Sequence, residues 1–135
     1  MRIVIISNLF PPYVRGGAEI IASETAKALV RAGHEVIVIT TGPAHRLAKR
    51  YKVFRSTWEG MKVLRFYPQN LYFLLDDYKQ PLTVRFLWHI YDTFNLYAAG
   101  VVRRLLKKYQ PDLVITHNLK GLGLTIPSVI RKLGL

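Results

Sequence analysis

Apolar runs and periodic segments in the first third of the chain predict a strand, a helix and a second strand. Residues 2–6 form a short, mostly β-branched run, as expected of a strand that is buried on both faces. Residues 18–32 carry apolar side chains at helical spacing, and Gly33 follows as a C-terminal cap. The run 36–40 predicts the second strand, which ends in the turn signal Thr41-Gly42-Pro43. Together these segments predict a βαβ unit with short connections.

The remainder of the chain extends this pattern. Residues 51–55 and 61–66 flank a polar stretch, 56–60, which predicts either a hairpin or a strand with a polar excursion; 62–66 is the predicted third sheet strand. An apolar stripe at three- and four-residue spacing predicts one long helix over 84–109. A short buried strand at 113–116 and a last helix at 124–133 follow. The sequence therefore predicts an α/β, Rossmann-like fold: an open, mostly parallel sheet of order 3-2-1-4 with helices on both faces.

The loop 7–19 between the first strand and the first helix is the main candidate for a ligand site. Gly16 and Gly17 allow a sharp turn and bring backbone N–H groups to the start of a helix, where an anion is favoured. His117 and Asn118 follow the 113–116 strand, so the predicted strand order places them at the same edge of the sheet. We therefore expect the two pairs to face one crevice. A tight turn without a ligand is the alternative interpretation of the glycines.

Several familiar sites are missing from the sequence. The glycines do not follow the dinucleotide pattern G-x-G-x-x-G, and no acidic residue closes the second strand to hold a ribose. The P-loop pattern G-x-x-x-x-G-K-[ST] is also absent. The chain has no cysteine, which excludes disulfides, thiolate metal sites and cysteine nucleophiles.

The net positive charge of the chain is compatible with several classes of anionic partner. The 135 residues include 20 Lys+Arg and 8 Asp+Glu, a formal net charge of +12 that attracts nucleotide phosphates, anionic lipids or nucleic acid. No apolar run approaches the length of a membrane span, so we expect a cytoplasmic protein. The basic segment 46–65 and the apolar loop 71–75 suggest peripheral binding to an anionic membrane on its inner face. No recognition motif supports a specific nucleic-acid ligand.

Three segments together resemble one enzyme family. Residues 8–12 (NLFPP) through 16–19 (GGAE), then 32–36 (AGHEV), then 111–117 (PDLVITH) are similar to the amino-terminal half of retaining glycosyltransferases of family 4 with the GT-B architecture. The resemblance covers nearly the whole chain and is weakest over 44–109. It implies transfer of a sugar from a nucleotide-sugar to a hydroxyl acceptor on a glycan or lipid, in cell-envelope glycan biosynthesis. It implies no metal and no other cofactor.

The resemblance also implies roles for individual residues. Gly16 and Gly17 would present backbone amides to the donor diphosphate, and His117 would face the reacting sugar or the acceptor hydroxyl, without acting as a general base. Tyr13, Arg15 and Asn118 would lie on the acceptor side.

In the family that the chain resembles, the donor is held by a second, carboxyl-terminal domain. We therefore expect residues 1–135 to be a single amino-terminal domain, truncated before its last strands and inactive alone as a hexosyltransferase. A non-catalytic or split-enzyme subunit that docks a donor-binding partner is the alternative, and a nucleic-acid-binding module is a weaker one. The edge strand 113–116 also suggests a homodimer, because an open edge exposes unpaired backbone groups.

Overall fold

The computed structural model describes residues 1–43 and 51–135. Residues 46–50 of the predicted basic segment, three of which are basic, lie outside the described residues. The described elements are, in chain order, β1 (Arg2–Ile6), α1 (Gly17–Arg31), β2 (Glu35–Thr41), β3 (Phe54–Trp58), β4 (Met61–Phe66), a 3₁₀ helix (Leu74–Lys79), α2 (Leu82–Thr93), α3 (Leu96–Tyr109), β5 (Leu113–Thr116) and α4 (Ile126–Lys132).

The five strands form one sheet of order β3-β4-β2-β1-β5. All neighbours are parallel except β3 and β4, which form an antiparallel hairpin. β1 therefore lies between β2 and β5, with Ile6 opposite both Ile39 and Thr116. The predicted order of the parallel strands is confirmed. β5 is an edge strand of the described sheet, as predicted, and the homodimer through it stays a prediction.

Two apolar clusters cover the two faces of the sheet. On one face Val4, Ile6, Ile37 and Ile39 pack with α3 and α4. On the other face the neighbouring residues of the same strands pack with Ala22 and Ala26 of α1. Successive side chains on a strand point to opposite faces, so these continuously apolar strands contribute to both clusters. The predicted Rossmann-like α/β fold with helices on both faces is confirmed.

The predicted helix 84–109 is wrong as a single element: α2 ends at Thr93 and α3 begins at Leu96. Asn95 separates them as the N-cap of α3, and its Oδ1 accepts the N–H of Ala98 at 2.9 Å. The Asn95 amide also donates to the carbonyl of Pro68 at 2.8 Å. The apolar stripe continues across the break, so periodicity alone did not reveal it.

The hairpin differs from the expected one in its turn. β3 runs through the stretch that we predicted to be a polar excursion, and the turn consists of Glu59 and Gly60, both with positive φ (46° and 78°). Two positive φ angles in succession are typical of the tight turns that match the twist of a hairpin. The loop 71–75 is mostly internal, because Tyr72, Phe73 and Leu74 are buried in a cluster with Trp88.

Candidate functional site

A crevice of about 300 Å³ lies at the carboxyl ends of β1 and β5, beside the amino terminus of α1. The Asn8 N–H donates to the carbonyl of Asn118 at 2.9 Å, which fixes the segment after β1 to the segment after β5. We call this pocket the α1 crevice. It is lined by Asn8, Arg15, Gly16, Gly17, Ala18, Glu19, Leu74, Asn118 and Lys120. Four of the six predicted site residues, Gly16, Gly17, Arg15 and Asn118, therefore meet in one place.

The chain around the start of α1 presents backbone donors to this crevice, but two of them are already bonded. The buried Glu19 carboxylate accepts the N–H of Gly16 at 2.7 Å and that of Arg15 at 3.2 Å. The amides of Gly17 and Ala18 follow at the helix start, where N–H groups have no acceptor within the helix. A Cβ added at Gly17 would meet no atom within 4 Å. The open space in front of Gly17 lets a ligand approach its backbone closely.

Arg15 brings one positive charge to the crevice. Its guanidinium forms an ion pair with Asp77. The Asp77 side chain is only 2% exposed; its Oδ2 lies 3.6 Å from Arg15 Nη2 and 3.1 Å from Arg85 Nη2. Burial raises the pKa of Asp77, but the hydrogen bond from the Tyr72 hydroxyl and the nearby cations outweigh it, so its pKa lies below the usual value. One carboxylate thus faces two guanidinium groups, which leaves net positive charge for an anion.

Lys120 brings a second positive charge that the sequence analysis did not identify. The backbone N–H of Lys120 donates to Asn118 Oδ1 at 3.1 Å. The backbone N–H of Gly121 donates to both Asp92 carboxylate oxygens at 3.0 Å. Burial raises the pKa of Asp92, with the Gly121 N–H acting against it. Gly121 has a φ of 96°, a conformation that favours glycine. The position of Lys120, four residues after the end of β5, was the available signal.

His117 does not line the α1 crevice, which corrects the predicted meeting of His117 and Asn118 with the glycines. The N–H of His117 continues the β1–β5 ladder by donating to the Ile6 carbonyl at 2.8 Å. Consecutive side chains on an extended chain point in opposite directions, so His117 is turned away when Asn118 faces the crevice. Its Nε2 atom is buried and has no hydrogen-bond partner among the described residues.

Tyr13 lies in a neighbouring pocket rather than in the α1 crevice. Its N–H donates to the Phe10 carbonyl at 3.0 Å across the Pro11–Pro12 turn, and its ring packs edge-on against Phe73. The second pocket, of about 170 Å³, is lined by Tyr13, Gly42, Pro43, Phe54, Arg65, Phe66 and Tyr67. We call it the Arg65 pocket. Arg65 was noted in the sequence only as part of a basic segment.

Within 1–43 and 51–135, no three His, Cys, Asp or Glu side chains form a group that could hold a metal ion. No helix in the same ranges is long and apolar enough to cross a membrane.

The sequence model of Glycosyltransferase Family 4 matches residues 15–135, which include the start of α1 and the segment after β5 but not Asn8. The chain belongs to glycosyltransferase family 4. It is also 29% identical over 132 residues to an uncharacterized 42.6 kDa protein in the cps region of Klebsiella pneumoniae. The match covers 98% of this chain and 34% of that protein, so the chain spans about a third of its length. No solved structure matches the chain.

Membership of glycosyltransferase family 4 confirms the resemblance seen in the sequence. The Rossmann-like fold agrees with it. The roles expected for the individual site residues stay predictions, and the structure supplies the geometry from which they can be tested.

Proposed function

We propose that the protein is a retaining glycosyltransferase that transfers a hexose from a nucleotide-sugar to a hydroxyl acceptor. The observation that supports this most directly is the α1 crevice, where a helix amino terminus, Arg15 and Lys120 surround one opening. Backbone N–H groups and cations in that arrangement suit a diphosphate. As the sugar leaves, negative charge accumulates on the diphosphate, and donors already in place stabilise it.

Within this proposal the amide of Gly17 contacts the diphosphate directly. Gly16 is the N-cap of α1 and makes no such contact, because its own N–H is bonded to Glu19. Lys120 and Arg15 balance the charge of the diphosphate, so this proposal gives Arg15 a donor-side role in place of the acceptor-side role that the resemblance implied. Asn118 contacts the acceptor. His117 does not contact the ligands but positions the segment after β5 that carries Asn118. The reaction uses no metal in this scheme, and a carboxyl-terminal domain completes the donor site.

The test is nucleotide binding by the protein as it is naturally encoded. Isothermal titration with UDP and with GDP should show that Lys120→Gln weakens binding of the preferred nucleotide about tenfold, the loss of one charged contact. Lys132→Gln, at the exposed end of α4, is the matched control and should bind like the wild type. Transfer with retention is then read from the anomeric configuration of the product by NMR.

Equal binding by the Lys120→Gln and Lys132→Gln proteins would remove Lys120 from the donor site. A wild-type protein that binds no nucleoside diphosphate would refute the proposed activity itself. In that case a docking subunit without catalysis becomes the better explanation.

We also propose that the protein binds the inner face of an anionic membrane, which would bring it to a lipid-linked acceptor. The support comes from α2 rather than from the loop 71–75. Trp88 and Asp92 are the buried residues of α2, and its other sides carry large apolar residues that are 40–78% exposed. They are Leu82, Phe86, Leu87, Ile90, Tyr91 and, at the C-cap, Phe94. We call this set the α2 apolar face.

An exposed apolar helix face on a basic protein suits the interface of an acidic bilayer. The naturally encoded protein should co-sediment with vesicles that contain an anionic phospholipid, and less with neutral vesicles. The double substitution Phe86→Glu and Ile90→Glu should abolish co-sedimentation, whereas Ile21→Glu on α1 should not. Retention of the double variant on the vesicles, or absence of wild-type binding, would contradict the membrane proposal. A stable oligomer that the double variant loses would instead assign the face to a protein partner.

A further inference from the structure

Arg65 carries a charge that no carboxylate among the described residues balances. The side chain projects from β4, and its two terminal nitrogens donate to neutral acceptors: Nη1 to Ser56 Oγ at 2.9 Å and Nη2 to the Pro11 carbonyl. Its Nε atom is buried and has no partner among the described residues. Burial lowers the pKa of Arg65, which reflects the cost of removing its charge from water.

No carboxylate of this chain serves as the missing counterion. All eight Asp and Glu residues lie in the described part of the chain, and residues 44–50 contain none. Five of the eight pair with lysines or with arginines other than Arg65. The other three, Glu19, Asp92 and Asp112, accept backbone N–H groups elsewhere. A half-buried guanidinium without a counterion is costly, and a bound anion would offset that cost.

The space beside Arg65 has the size and lining of a site for one small ring. Its volume of about 170 Å³ is below the roughly 300–1,000 Å³ of pockets that hold drug-sized ligands. Four of its walls are the aromatic side chains of Tyr13, Phe54, Phe66 and Tyr67. The guanidinium carbon lies 6.0 Å from the centre of the Tyr13 ring. One charged group among apolar walls can fix the orientation of a ligand whose body packs on the rings.

The Arg65 pocket opens at the same edge of the sheet as the α1 crevice. Tyr13 and Arg15 belong to the same loop after β1, and Arg65 bonds to Pro11 of that loop. Gly42 directly follows β2, and Phe66 ends β4, so the carboxyl ends of the parallel strands face both pockets. A ligand in the Arg65 pocket therefore lies on the acceptor side of the proposed donor site.

We propose that the Arg65 pocket binds an acidic sugar residue of the acceptor, with its carboxylate on Arg65 and its ring on the aromatic walls. This inference rests on the proposed function. A carboxylate carries one negative charge, which matches the single guanidinium among otherwise uncharged walls, and it has the planar geometry that arginine binds best. A phosphate monoester carries about −1.5 to −2 and would leave charge unbalanced.

The experiment measures three probes by NMR titration of the naturally encoded protein: methyl glucuronide, methyl glucoside and glucose 6-phosphate. The wild type should bind the glucuronide about tenfold more tightly than the other two, as expected for one charge-assisted contact. Arg65→Gln should lose this preference. Arg55→Gln, an exposed arginine on the adjacent strand β3, is the matched control and should keep it.

Arg65→Lys keeps the charge but not the planar fork, so it should retain a reduced preference and serves if the glutamine variant does not fold. The inference is overturned if the wild type does not bind the glucuronide, binds the glucoside equally well or binds the phosphate more tightly. It is also overturned if Arg65→Gln, or Arg65→Lys in its place, keeps the full preference. UDP and GDP binding by the same proteins distinguishes failure of the proposed function from failure of this inference. A wild type that binds neither nucleotide refutes the proposed function. A wild type that binds nucleotide but shows no preference for the glucuronide refutes only the inference.

Discussion

Replacement of Gly17 by alanine separates ligand contact from folding, because the structure has room for the added methyl group. The new Cβ would meet no atom within 4 Å, and Gly17 has no positive φ that an alanine would strain. Alanine is also the better helix former, by up to about 1 kcal/mol in a helix interior and less in the first turn. We therefore expect the unfolding free energy of Gly17→Ala to equal or slightly exceed that of the wild type.

Nucleotide binding should respond in the opposite direction. The methyl group would project from the start of α1, where the diphosphate is proposed to approach the Gly17 amide. Losing one charge-assisted hydrogen bond costs about 1.5–3 kcal/mol, which corresponds to roughly 10- to 150-fold weaker binding. Isothermal titration with UDP and GDP measures this loss, and thermal unfolding of the same sample measures stability.

Two other glycines of the chain provide controls for the Gly17 experiment. Gly100 lies in the interior of α3 with nothing within 4 Å of an added Cβ, so Gly100→Ala should stabilise the protein and leave nucleotide binding unchanged. Gly123 has a φ of 104°, and its added Cβ would lie 3.1 Å from the Asp92 carbonyl oxygen, so Gly123→Ala should destabilise the protein. If Gly17→Ala folds normally and binds nucleotide within twofold of the wild type, the diphosphate does not approach this amide and the donor-site reasoning is refuted.

Three further predictions concern individual side chains. Asn95→Ala should lower the unfolding free energy by about 1–3 kcal/mol, because it removes the N-cap of α3 and the hydrogen bond to Pro68. Chemical denaturation measures this loss, and a loss below about 0.5 kcal/mol would show that the cap is dispensable. Asp77→Asn should cost about 2 kcal/mol at neutral pH, a value reduced because both arginine partners are partly exposed. The folded-state pKa of Asp77 lies below its usual 3.8, so the stability that Asp77 contributes is present above that pH and is lost as the pH falls through the lowered pKa. The unfolding free energies of the wild type and of Asp77→Asn should therefore converge in acid, and a difference that persists there would contradict this. His117→Ala should lower kcat for sugar transfer about tenfold or more and leave the KM for the nucleotide-sugar nearly unchanged, since His117 does not line the crevice; steady-state kinetics that show an altered KM alone would place His117 in donor binding instead.

The sequence by itself determined the elements whose signals are local. β1, α1, β2, β4 and β5 were all predicted to within one residue at each end, because strand runs and helical periodicity depend only on near neighbours. The parallel order followed from the rules that connect such elements, and it placed the segments after β1 and β5 at one edge. Gly16, Gly17 and Asn118 could be predicted for this reason, whereas Arg15 followed only from the resemblance to the family.

Only the tertiary structure decided which groups are available there. The Gly16 amide is bonded to Glu19, and the strand geometry turns His117 away from the crevice. The break at Asn95 depends on Pro68, which lies 27 residues away in sequence. The Arg65 pocket joins residues from four separate segments, and the missing counterion is visible only when every carboxylate has been located. Hydrogen bonds and charge pairs form between groups that folding brings together, so a pattern along the chain records which donors and acceptors exist but not which of them are already bonded.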